Sequence, residues 1–369
     1  MSLKKHIALL SVYPPPFGGV SVHAKILARE LSERNMINVF VTGGHRAIDD
    51  PGYLKRISDI RLFNKNIFWH FKIPFILALY SKKIKVIHCH EGLSVVPFLF
   101  FHRFVFKKAI IHTLHNQWVT ERYNQLNFFS RFFTTIFLKD KKSHWICVNG
   151  NAYHQMLKLG TKKECISIIP AYIPNTNNTE INRNDYKIIQ TIKEFKSDAK
   201  LIGVYGVRFA YDTNGQEIYG FHFSIDVFKK LLEIQPNIKL VILVPNALPL
   251  ADKERVLLKI NNEGLSAHVL TIFDNPIMNM NLFWNQLDIY FRPTTDDGDS
   301  LAIREASASG ITVVASDVCQ RPNNIKVYKS LDIESALKSL TEAIDGYETV
   351  KINDENFLLK LLKLYADKS

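Results

Sequence analysis

The segment RPTTDDGDSLAIREASASG, residues 292–310, gathers Asp296, Asp297 and Asp299 around Gly298 and places Glu305 six residues beyond the last of them. The chain as a whole is basic, with a formal net charge of +12, so this knot of negative charge needs a physical reason. An apolar run, LDIYF, precedes it and a helical pattern follows. Ser300 is placed to cap a helix beginning near Leu301, whose free N–H groups would lie beside the acidic loop and could bind a phosphate. Glu305 then falls in the second turn of that helix. A carboxylate there, facing a crevice, can accept hydrogen bonds from two neighbouring hydroxyls such as those of a ribose. The plainer reading of Glu305 is a solvated helix glutamate, the commoner state of that residue.

A second stretch, PPPFGGVSVHA, follows the first apolar run and opens a helical pattern. Gly18 and Gly19 would let the backbone turn closely and aim free N–H groups at an anion; a tight strand-to-helix turn without a ligand has the same sequence. Histidines recur as His88-x-His90 and His112-x-x-His115, with Cys89 and Glu91 adjoining. Zinc ligation is one reading, but no recognisable ligand set is completed, and core or crevice histidines are the better one. No metal site is therefore assigned. Cys89, Cys147, Cys165 and Cys319 lack CxxC spacing, which argues against disulfides and zinc knuckles and fits a reducing cytoplasm.

The elements that must position these residues are legible as short β-branched runs alternating with amphipathic stretches: HIALLSV, INVFVT, IKVIHC, AIIHTL, HWICVN and CISIIP, then AKLIGVYG, IKLVILV, HVLTIF, LDIYFRP and ITVVAS. That alternation is the mark of βαβ units and parallel sheets. A length of 369 residues, 47% hydrophobic and 22% charged, exceeds one hydrophobic core. The polar stretch from Pro170 to about Tyr186 reads as a linker. The expected fold is α/β, with two tandem Rossmann-like doubly wound domains facing across a cleft, residues 1–172 and residues 187–350, and a C-terminal helix within 351–369 that packs back on the first domain.

Charge divides unevenly. Residues 1–170 hold 25 Lys+Arg against 9 Asp+Glu, or +16, and the remainder 22 against 26, or −4. In the first half the cations are interleaved with phenylalanine, in FLFFHRFVFKK and FFSRFFTTIFLKDKK. Two readings fit this equally: a face that docks on an anionic membrane surface, with Arg103, Lys107 and Lys108 among its cations, or core phenylalanines under solvated lysines. Nucleic acid is the less favoured partner. Lys4 and Lys5 ahead of the first apolar run imitate a signal peptide, but the run is short and enters Pro14-Pro15-Pro16 without a cleavage site; later apolar segments are broken by charge before they could span a bilayer.

Placed in order, these residues resemble the retaining glycosyltransferases of family 4, whose GT-B architecture sets two Rossmann-like domains face to face. Pro293-Thr294-Thr295-Asp296-Asp297-Gly298, then Glu305-Ala306 and ASGITVVASD, match the family's C-terminal motif in spacing, and FGGVSVHAKILAREL, VIHCHEGLSVVPFLF, IIHTLHN and ISIIPAYIP are similar to its N-terminal blocks. Three departures stand out. Asp297 occupies the position of the first motif glutamate, Asp299-Ser300 replaces Phe-Gly, and GVRFAYDTNGQEIYGF keeps Arg208 but has Tyr219 where a lysine ordinarily precedes Gly220.

The resemblance implies that Glu305 holds the ribose of a nucleotide sugar, Asp297 the hydroxyls of the transferred sugar, Arg208 the diphosphate, and His115 the sugar near the reaction centre. Gly18, Gly19, Gly298, Asp299, Ser300 and Leu301 would complete the donor site. It implies a nucleotide-sugar donor as substrate with no cofactor, a surface-glycan or lipid-linked acceptor, and work in the cytoplasm, peripherally at the inner membrane face. Alternatives are a catalytically silent nucleotide-sugar-binding or scaffold member, a nucleotide-sugar 2-epimerase, and a divalent cation held by Asp297-Gly298-Asp299.

Overall fold

The computed structural model describes residues 6–14, 18–43, 59–63, 69–90, 92–115, 118–171, 183–246, 249–346 and 357–369. Pro15, Pro16, Phe17 and Glu91 lie outside the described residues, as do 172–182 of the expected linker; its residues 183–186 already belong to a helix. The chain forms two compact units, Met1–Ile173 with Glu355–Ser369, and Pro174–Asp354.

The first unit is built on β1 (Ile7–Val12), β2 (Ile37–Gly43), β3 (Asp59–Phe63), β4 (Val86–Cys89), β5 (Ala109–Leu114), β6 (Ser143–Cys147) and β7 (Ile166–Ile168). They pair in parallel in the order β3-β2-β1-β4-β5-β6-β7. Its helices are α1 (Gly19–Glu33), α2 (Trp69–Leu79), α3 (Phe100–Phe104), α4 (Val119–Asn124), α5 (Phe128–Lys139) and α6 (Gly150–Lys158). The second unit carries β8 (Lys200–Tyr205), β9 (Ile238–Val244), β10 (Val269–Phe273), β11 (Ile289–Arg292), β12 (Thr312–Ser316) and β13 (Lys326–Tyr328), parallel in the order β10-β9-β8-β11-β12-β13. Around it lie α7 (Arg183–Lys196), α8 (Phe221–Ile234), α9 (Leu250–Asn262), α10 (Met280–Trp284), α11 (Leu301–Ala308) and α12 (Ile333–Ile344).

The central strands read as unbroken apolar runs because helices cover both faces of each sheet: β1, β4, β5 and β9 are buried almost throughout. Strand order reverses once in each unit, at β1/β4 and at β8/β11. Chain leaving adjacent strands in opposite directions opens a crevice at such a point, where ligands of α/β sheets bind. Gly18 and Gly19 follow β1, His90 follows β4, His115 follows β5, Arg208 follows β8, and the aspartate knot with Glu305 follows β11.

The final helix, α13 (Phe357–Lys368), belongs to the first unit. Phe357, Leu358 and Leu361 are buried in it, and the buried Tyr365 places its hydroxyl 2.5 Å from His88 Nδ1. The phenylalanines of the basic half divide between the two readings. Phe137 is core, and Phe100 and Phe104 pack against the same cluster, whereas Phe101, Phe106, Phe128, Phe129 and Phe132 are exposed, Phe128 by 88%. Arg103 departs from the expected surface cation: it is buried and donates through Nε and Nη2 to Asp140, at 2.5 and 2.6 Å. Among the described residues no helix is long and apolar enough to cross a membrane.

Candidate functional site

In the second unit, the loop after β8 and the loop after β11 meet at the strand-order reversal. Gly220 shows why the meeting is close. It caps α8 with φ +67, and a Cβ built there would stand 2.0 Å from Pro293 O, so only glycine fits both the conformation and the space. Thr295 N donates to Ile218 O at 2.9 Å and Thr295 Oγ1 to Glu217 O at 3.0 Å, which locks the two loops together.

On that frame the aspartate knot is an ion-pair network. Asp297 accepts from Arg292 Nε and Nη2 at 3.1 and 3.2 Å, from Arg321 Nη1 at 2.8 Å and from Gly298 N at 3.1 Å. Burial alone would raise its pKa, but the two guanidiniums outweigh burial and hold the carboxyl below its ordinary range. Asp299 accepts from Arg304 Nε at 2.7 and 2.9 Å. Each of these carboxylates therefore has an arginine partner, and a divalent cation at Asp297-Gly298-Asp299 would have to displace guanidinium groups; the donor set does not favour a metal. Two of the positions that depart from the motif share Arg292, whose guanidinium pairs with Asp297 and lies 5.3 Å from the centroid of the Tyr219 ring. Arg208 is exposed and close enough for its charge to act on the Tyr219 hydroxyl. Arg292 and Arg321 were not singled out from the sequence. Arg292 ends a buried strand and Arg321 follows β12, so only the fold brings them to Asp297.

Ser300 caps α11 as expected, its Oγ accepting from Ile303 N at 3.4 Å, and Leu301 is the first helical residue. Glu305 occupies the second turn. It is not the solvated glutamate of the plainer reading: it is half-buried, one hydrogen bond among the described residues reaches its carboxyl, from Trp284 Nε1 at 3.4 Å, and desolvation raises its pKa to about 7.

In the first unit, Gly18 caps α1 in extended backbone and Gly19 begins the helix. A Cβ at either would meet nothing within 4 Å, so local sterics require glycine at neither position, and the Gly18 N–H is not free but donates to Ser21 Oγ at 3.1 Å. His115 follows β5 and joins a group with His23 of α1, His88 of β4 and His90. Ring centroids of His23, His90 and His115 stand 5.0, 5.1 and 5.4 Å apart, and His88 lies 4.2 Å from His90. Burial holds all four neutral, bringing His23 to about 4. His112 faces elsewhere, stacked at 4.6 Å on Trp145. Among the described residues no group of His, Cys, Asp and Glu is arranged to hold a metal ion. The structure thus brings Arg208, Asp297, Gly298, Asp299, Ser300, Leu301 and Glu305 together in one unit, and Gly18, Gly19 and His115 belong to the other.

Residues 17–174 match the sequence model described as Glycosyltransferase Family 4. Among solved structures, a sucrose-phosphate synthase from Thermosynechococcus elongatus superposes with a TM-score of 0.73 at 16% identity over 99% of each chain. HepE from Anabaena, in complex with UDP-glucose, gives 0.64 at 12% identity over 97% of this chain and 99% of that one. WaaG, a glycosyltransferase involved in lipopolysaccharide biosynthesis, gives 0.64 at 14% identity over 92% and 90%. No curated protein sequence matches. The identities are too low to transfer a substrate, and what these neighbours share with the chain is the two-unit α/β fold of GT-B proteins.

Proposed function

From a chain that carries the family 4 match on residues 17–174 and has the GT-B fold, we propose a retaining glycosyltransferase that moves a sugar from a nucleotide-diphosphate sugar to a surface-glycan or lipid-linked acceptor. The observation that carries the reading is Glu305, a half-buried carboxylate without a counter-ion among the described residues, in the second turn of a helix at the strand-order reversal. Such a group is costly to bury and becomes satisfied when two sugar hydroxyls donate to it. HepE, crystallised with UDP and with UDP-glucose, and an E. coli neighbour bound with UDP-2-fluoro glucose support a donor of this class.

The roles follow from charge. Retaining transfer passes through an oxocarbenium-like state as negative charge grows on the leaving diphosphate. Arg208 and the N-terminus of α11 would stabilise that diphosphate. Arg292, over the Tyr219 ring, and Arg208 bring cations to the place of the missing lysine and would offset its loss in part. Asp297, its oxygens already engaged, would act on the transferred sugar as an arginine-held carboxylate and through its backbone. His115 would contact a sugar hydroxyl.

None of these roles uses a metal. Release of nucleoside diphosphate from a panel of nucleotide sugars should therefore persist in excess EDTA. Loss of release in EDTA, restored by Mn²⁺ or Mg²⁺, would return Asp297-Gly298-Asp299 to a metal site, and no release from any donor would favour a silent binding protein.

For the acceptor, the exposed Phe128, Phe129 and Phe132 on α5, with the exposed Arg131 and Lys139 between and after them, support a membrane-surface face. Each cation near an anionic leaflet contributes about 1 kcal/mol. The protein should sediment with vesicles containing anionic lipid, leave them as salt shortens the Debye length, and bind less after Phe128→Ser with Phe129→Ser. Equal binding to neutral vesicles, or none to either, would point to a soluble acceptor.

A further inference from the structure

His90 lies one residue beyond β4, its backbone fixed by His90 N donating to Leu10 O at 2.8 Å. Its ring Nδ1 is 2.8 Å from His115 Nε2, and its other nitrogen, Nε2, is buried without a hydrogen-bond partner among the described residues. The rings around the pair are themselves fixed. His23 Nδ1 meets Ala171 O at 2.5 Å, and His88 is held between Tyr365 OH and Thr113 Oγ1, at 2.5 and 2.8 Å. Among the described residues the titratable groups acting on His90 and His115 are these imidazoles and His112, and none of them is a carboxylate.

Two neutral imidazoles at this distance share a single N–H, so one ring donates and the other accepts. Were His115 the donor, His90 would carry its proton on Nε2, a buried N–H with no acceptor. If His90 donates from Nδ1, what remains on Nε2 is a bare lone pair, and buried donors left unpaired are rarer than under-used acceptors. We infer that His90 is a positioning residue that donates Nδ1–H to His115 Nε2 and thereby fixes His115 as the Nδ1–H tautomer, a hydrogen-bond donor toward an oxygen of the bound sugar rather than a base. That the recipient is a sugar oxygen rests on the transfer reading; the tautomer does not.

The test reads protons directly. The full chain labelled with ¹⁵N-histidine gives two-bond ¹H–¹⁵N correlations whose pattern distinguishes the neutral tautomers, with His115→Gln identifying the His115 signals. At pH 7 His115 should show the Nδ1–H pattern. His90→Leu should shift it toward Nε2–H, and His90→Asn, whose amide N–H can stand where Nδ1–H stood, should restore it. Nucleoside diphosphate release should follow, with kcat lowered roughly 10²-fold by His90→Leu, in the range expected of a mispositioned proton donor, little change in donor KM, and recovery in His90→Asn. An Nε2–H pattern in the unaltered chain, or a pattern unmoved by His90→Leu in a folded protein, would overturn the assignment. An unaltered chain that shows the Nδ1–H pattern yet releases no nucleotide would overturn the transfer reading and leave this assignment supported.

Discussion

Asp297→Ala is expected to destabilise the second unit by about 3–5 kcal/mol, the cost of leaving buried charge without its partner. The side chains of Arg292 and Arg321 are only 8% and 3% exposed, and Asp297 is the acidic partner of both. After its removal Arg292 would keep bonds to Tyr205 O and Tyr290 OH, and Arg321 to Ser316 O and Thr294 Oγ1. Those neutral acceptors do not balance two guanidiniums. Thermal denaturation should show the melting transition of this unit lowered by about 10 °C, given the usual slope for a unit of this size. Asp297→Asn should fall between, because the amide keeps an acceptor but no charge. Acid should reproduce the effect: the carboxyl is held below its ordinary pKa of 3.8, so its stabilisation is present above that pH and is lost as pH falls further. A loss below about 1 kcal/mol would mean that water reaches the arginines and that the knot is a surface feature.

This network marks the boundary of what the sequence disclosed. The α/β class and eleven of the strands were legible as β-branched runs, because strands buried on both faces must be continuously apolar. Two strands were missed. KVY of β13 is a three-residue run with no pattern to read, and DIRLF of β3 is charged at two of five positions. The cap at Ser300 and the placement of Glu305 followed from local chemistry that spacing alone fixes. The charge state of the site did not, because it depends on side chains brought together by sheet order: Arg292 and Arg321 reach Asp297, and Trp284 reaches Glu305, from separate elements. The histidine group was visible only as pairs at short spacing. His23, which completes it from α1, lies 65 residues before His88. Arg103 failed as a surface cation for the same reason, since Asp140, 37 residues away, draws it inward.

The second large effect is at Glu305. Replacement by glutamine keeps the shape but removes the charge on which two hydroxyl hydrogen bonds would converge, so Glu305→Gln should weaken nucleotide-sugar binding by on the order of 1.5–3 kcal/mol, or more than tenfold. Stability without ligand should not fall, because the glutamate is itself costly to bury ionised. With its pKa raised from 4.5 to about 7, the folded site holds a proton that the unfolded chain releases, so stability contributed by this group declines as pH rises from about 4.5 to 7. Ligand binding has the opposite sign. Sugar hydroxyls favour the carboxylate, so affinity should climb through that window and level off above pH 7.

Calorimetric titration with a nucleotide sugar, whose esterified diphosphate does not titrate near neutrality, tests the account most directly. Run at pH 6 in two buffers of different ionisation enthalpy, it should report a proton released on binding to the unaltered chain, and no such proton with more than tenfold weaker binding in Glu305→Gln. Equal affinity of the two folded proteins, with no proton released by either, would contradict the account.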